Sequence, residues 1–86
     1  MNQELPVRVM VTDVWDAVLL DLAPSTSLAD LKREALRRTL VRRDAGEYVV
    51  KFRGAEMLDE SATLKAVGVP PNAELIVLPR RRRPVR

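Results

Sequence analysis

The chain contains no cysteine and no histidine. The first absence removes the thiolate nucleophile and the disulfide; the second removes the commonest base and metal ligand near neutral pH. Its three glycines stand apart at positions 46, 54 and 68, so no glycine-rich phosphate loop can be built. Aromatics are limited to Trp15, Tyr48 and Phe52, too few to stack successive nucleic-acid bases. No apolar run approaches the roughly 18 residues that span a bilayer. Met1-Asn2-Gln3-Glu4 has neither the basic nor the apolar region of a secretion signal, which leaves the cytoplasm as the default location. The nearest carboxylate pair, Asp59-Glu60, is adjacent in a connecting segment and reads as solvated or capping groups, not as a general acid and base. Composition therefore argues against an enzyme and predicts no cofactor, no metal and no small-molecule substrate.

What is present is a small, half-apolar chain with a lopsided charge. Hydrophobic residues make up 47% of 86 positions, enough for one core. A chain of this size buries only about 60% of its unfolded surface, so its stability rests on that core being well packed. Five of the 15 basic residues, Arg80, Arg81, Arg82, Arg83 and Arg86, lie in the last seven positions. Residues 1–79 then carry ten basic against 12 acidic groups, a balance of −2, and the basic character belongs to the end of the chain. The expected organisation is a domain over 1–79 and a flexible arginine-rich tail over 80–86.

Periodicity orders the elements. Val7, Val9 and Val11 alternate with Arg8, Met10 and Thr12, and Val18, Leu20 and Leu22 alternate with Ala17, Leu19 and Asp21, with Asp13-Val14-Trp15-Asp16 between them short enough for a hairpin turn. After Pro24, Ser25-Thr26-Ser27 can cap a helix from about Leu28, with Asp30 placed to bond back to the Ser27 amide. Leu28, Leu31, Ala35, Leu36 and then Thr39 or Leu40 form its apolar stripe, and Arg33 and Arg37 point away. Tyr48–Phe52 reads as a third strand ended by a turn at Arg53-Gly54. Leu58, Leu64, Val67 and Val69 are expected to anchor a mostly irregular connection in which Ser61-Ala62-Thr63-Leu64 open one helical turn before Gly68, and Glu74–Leu78 to form a last strand. This order implies an α+β fold, with the first and last strands central and parallel because they are the most continuously apolar.

Particular residues make the pattern more specific. Leu22-Ala23-Pro24-Ser25-Thr26-Ser27-Leu28-Ala29-Asp30-Leu31-Lys32, Phe52-Arg53-Gly54, Leu58-Asp59-Glu60-Ser61-Ala62-Thr63-Leu64, Val69 and Leu75-Ile76-Val77-Leu78 together resemble the ubiquitin-like β-grasp family over residues 5 to 80. The resemblance implies a mixed four- to five-stranded sheet with one helix packed across one face, and a buried ion pair between Lys32 and Glu60. It also carries two departures. Conjugated family members end in Gly-Gly, where this chain has Arg83-Pro84, and small bacterial ubiquitin-like proteins of the YukD type, associated with type VII secretion, are similar in lacking that ending. The apolar patch by which ubiquitin is usually read has its central isoleucine matched by Lys51; Leu78 and the turn at Val14-Trp15 match its rim.

These residues imply a non-enzymatic, ubiquitin-like protein-interaction module that is not conjugatable as it stands. Met10, Leu19, Val49, Ile76 and Leu78 should project from the sheet face opposite the helix, and with Lys51 and Trp15 they form the expected surface for a protein partner or for self-association. The arginines at 80–83 and 86 are an anion-binding candidate for nucleic acid, an anionic membrane or an acidic protein. Two alternatives belong to other classes: a covalent modifier attached through an atypical or processed C-terminus, and an anion-binding accessory protein acting through the tail.

Overall fold

Strict alternation along the first strand turns Leu5, Val7, Val9 and Val11 to one side, and that side becomes the covered face of the sheet. The computed structural model describes residues 4–80; Arg81, Arg82, Arg83 and Arg86 lie outside them. The elements are β1 (Leu5–Val11), β2 (Asp16–Leu22), α1 (Leu28–Arg38), a 3₁₀ turn (Ala45–Glu47), β3 (Tyr48–Phe52), β4 (Ala55–Glu56), α2 (Leu64–Val67) and β5 (Ala73–Pro79). They form a mixed five-stranded sheet ordered β2-β1-β5-β3-β4. As the apolar runs implied, β1 and β5 are interior and parallel; β1–β2, β5–β3 and β3–β4 are antiparallel.

α1 lies across one face because Leu28, Leu31, Ala35 and Leu36 bury against the inward residues of the strands. Ser27 caps it by accepting from the Asp30 amide at 3.1 Å, but the expected return bond does not form. The Asp30 carboxylate takes the exposed Arg33 guanidinium instead, while the amides of Leu28 and Ala29 donate to the carbonyls of Ala62 and Glu60. At the other end Thr39 finishes the stripe and Leu40 leaves it. The Leu40 amide donates to Arg37 O and the Val41 amide to Leu36 O, the paired bonds of a Schellman cap. Leu40 thus occupies the position glycine prefers, with φ at 63° and its side chain 85% exposed.

Two expectations about the 55–72 connection change. Arg53 and Gly54 both have positive φ, as a two-residue hairpin turn requires, and the returning chain pairs at Ala55 and Glu56 as β4, a strand too short for its periodicity to register. The Met57 amide then donates to Val50 O and Met57 packs on the core, which turns its neighbour Leu58 outward, 85% exposed and not an anchor. Leu64 and Val69 are buried as expected and Val67 is half-buried.

One charge lies inside this core. The Lys32 ammonium, buried on α1, donates to Tyr48 O at 2.9 Å and to Glu60 Oε1 at 2.7 Å, so helix, third strand and the 57–63 segment meet at one atom. Removing one partner of a buried pair strands the other charge, whereas exposed pairs contribute little. Glu60→Ala should therefore lower stability in urea unfolding by about 2 kcal/mol, since the Glu60 carboxylate is itself partly solvated. Arg33→Ala, which removes an exposed pair, should change it by less than about 0.5 kcal/mol.

Tyr48 joins the core to the surface. Its ring is fully buried and its hydroxyl donates to Asp13 in the β1–β2 turn. Burial, and then the Asp13 bond, push the phenol up to about 12. The folded state thus holds the proton above the pH, near 10, at which the unfolded phenol releases it. This stability is fully present below about pH 10 and is lost as pH rises toward about 12. The advantage of the native chain over Tyr48→Phe in chemical denaturation should shrink across that window by about 2 kcal/mol; a pH-independent difference would refute the linkage.

Candidate partner-binding face

Because side chains alternate along each strand, the register that buries Val9 and Leu75 also fixes the open face. One row crosses all five strands: Ala17, Met10, Ile76, Lys51 and Glu56. Beside it on one flank stand Leu19, Arg8 and Glu74, and on the other Leu78 and Val49. Diagonal neighbours on a sheet face remain within reach of large side chains. An apolar band therefore runs obliquely through Leu19, Met10, Ile76, Leu78 and Val49, with Arg8, Glu74, Lys51 and Glu56 all along one side of it and Ala17 on the other.

The members of this band contribute unequally. Leu19, on the edge strand, is 76% exposed and Ile76 37%, while Met10 and Leu78 are half-buried. Val49 points to this face but is only 5% exposed, so it supports the surface from below and offers little to a partner. That corrects its expected role: its register partner Leu78 and the neighbouring Lys51 flank it, and beyond them Pro79 and Arg80 complete an open cleft over this end of the band. Lys51 is half-buried, opposite Glu56 on β4 and Ile76 on β5, so the sheet carries a cation at the band's margin. Arg8 and Glu74 approach to 3.8 Å, and both are well exposed. These border residues were missed as site residues, although the alternation of Arg8 with Met10 and of Glu74 with Ile76 already put them on this face.

Trp15 stands apart. It lies in the turn beyond Val11 and Asp16, the last pair of the β1–β2 ladder, with φ at 52° and 80% exposure, and does not pack back on its own strands. Arg80 also differs from expectation. Its amide donates to Glu47 O at 2.7 Å and its Nε to Gly46 O at 3.3 Å, which fastens it beside the start of β3. The remaining arginines assigned to the tail lie outside the described residues.

On the opposite side, the arginines of α1 behave as a solvated face. Arg37 and Arg38 both bond Glu34, and their hydrogen bonds hold its carboxyl below the usual carboxylate range. No apolar band comparable to that of the sheet is assembled from the helix.

No protein-family model matches the sequence, and no curated protein matches it significantly. Solved structures do match the fold. A Caldiarchaeum subterraneum ubiquitin superposes with a TM-score of 0.78 at 11% identity, over 92% of this chain and 96% of its own. The ubiquitin-like domain of an Arabidopsis thaliana protein gives 0.74 at 13% identity, over 98% and 85%. A designed protein based on ubiquitin gives 0.78 at 17% identity, over 94% of each chain. At such identities the likeness speaks for architecture alone, and the architecture is a ubiquitin-like β-grasp.

Proposed function

We propose that the chain is a non-enzymatic ubiquitin-like interaction module that binds a protein partner through the oblique band on its open sheet face. The observation that carries this reading is the band itself. Single exposed apolar residues are ordinary on any surface, but Leu19, Met10, Ile76 and Leu78 are contiguous and bordered by charge. The matching isoleucine at the centre of ubiquitin's patch is Lys51 here, so a ligand adapted to that patch would bury an unpaired cation. The fitting partner sets an apolar side chain on Ile76 and a carboxylate toward Lys51. The arginines at 80–83 and 86 would raise the rate of encounter with such an acidic partner without being the seat of its specificity.

Binding is favoured over covalent attachment because the glycines at 46, 54 and 68 are isolated and no Gly-Gly pair occurs in the sequence. The likeness to small bacterial proteins of the YukD type rests on the same feature and belongs to this reading. A tagged chain recovered from its own cells, divided between native and denaturing buffer and read by mass spectrometry, separates the two functions. Partners that disappear on denaturation, and that Ile76→Asp or Leu78→Asp weakens more than about tenfold while leaving the helical signal intact, support the module. Adducts that survive denaturation and carry a shortened C-terminus would establish a modifier in its place.

A further inference from the structure

The sheet ends on one side in a strand whose free edge no described element covers. β2 is seven residues long and has β1 as its one neighbour, while the opposite edge, β4, has two residues. The direction of its backbone groups follows from β1. Pro6 O accepts from the Asn72 amide and the Thr12 amide donates to Val77 O, so the even-numbered residues of β1 turn toward β5 and the odd-numbered ones toward β2. The ladder bonds therefore reach Asp16, Val18, Leu20 and Leu22, and the N–H and C=O groups of Ala17, Leu19 and Asp21 point off the sheet. No described residue takes these groups up. Edge strands are commonly guarded by proline, lysine or a bulge. β2 has none of these: its register with β1 is unbroken, its two charges, Asp16 and Asp21, stand near its ends, and Leu19 at its centre is 76% exposed.

We propose that this edge is where two copies of the chain pair, β2 running antiparallel to β2 about a two-fold axis through Leu19. The strand is self-complementary in that register. Leu19 faces Leu19 of the second copy, Ala17 faces its Asp21 and Asp16 its Leu22, so every residue of β2 has a counterpart and the outward groups of 17, 19 and 21 all close hydrogen bonds. No carboxylate meets another across the pairing. A half-turn in the plane of the sheet about Leu19 returns a line through Leu19 onto itself, so the oblique bands of the two copies become one continuous stripe with the exposed leucines at its middle. The same register sets each Trp15, 80% exposed in one copy alone, just past the end of the opposing strand. A strand from another protein would satisfy the backbone equally, but a second copy also supplies the matching Leu19 and the continuation of the band. The pairing uses backbone groups that the partner-binding reading leaves idle and does not depend on it, since Ile76 and Leu78 stay open.

Because residue 19 meets itself in this register, charge placed there tests the pairing directly. The full chain is followed by sedimentation equilibrium from about 1 μM to about 1 mM, the range in which a small interface associates. Leu19→Lys and Leu19→Glu are run separately and then mixed in equal amounts. Both replace an exposed side chain, and far-UV circular dichroism checks that each variant keeps the fold. The expected result is a reversible monomer–dimer equilibrium for the native chain, roughly tenfold weaker in either variant alone and restored in their mixture. Amide hydrogen exchange at Ala17, Leu19 and Asp21 should slow as the native chain is concentrated. A chain that stays monomeric to about 1 mM overturns the proposal. So does a dimer that the single variants leave intact, or that their mixture fails to restore, because its interface then lies elsewhere. Slowed exchange at these amides that arises only on adding another protein would give the edge to a foreign strand and overturn the second copy.

Discussion

The helix and the segment that leads into α2 are tied to the sheet through the Lys32 ammonium. Its hydrogen bonds to Tyr48 O and Glu60 Oε1 join the middle of the helix to the start of β3 and to the segment that leads into α2. A desolvated charge tolerates few alternatives, so the pair fixes the placement of α1 more narrowly than leucine packing would, since apolar contacts can slide at small cost. Tyr48 extends the constraint outward: its carbonyl receives Lys32 inside the core and its hydroxyl receives no proton but gives one to Asp13 at the hairpin turn. Helix, sheet and turn are thereby tied in one relation, laid over faces that strand register has already set.

The alternation of β1, β2 and β5 and the stripe of α1 made most of this fold legible, because burial on one face imposes a period that survives in any context. What was not legible lay where local rules meet tertiary competition. Leu58 has the composition of an anchor, but the pairing of Glu56 and the inward turn of Met57 decide its exposure. Leu40 continues the helical period in sequence, yet the Schellman cap has already reversed the chain. Val49 faces outward as its alternation requires and is still nearly buried, because exposure on an open face depends on how far the flanking side chains lie over it. Strand parity can therefore name the residues of a face, but not which of them a partner would touch.

The open face and the turn end have different origins. The sheet face is an outcome of register, so its apolar residues come at no local cost to the backbone. The turn end is different. Of the four described non-glycine residues with positive φ, Asn72 is of a type that tolerates the conformation, and Arg53 lies over the Phe52 ring at 5.0 Å, a contact that offsets part of its strain. Trp15 and Leu40 have neither excuse. Glycine or asparagine at either position would relieve the backbone and remove exposed apolar area together. A sequence whose strands, caps and core agree this closely with its fold thus departs from local preference at two exposed turns, Trp15 between β1 and β2 and Leu40 at the cap of α1.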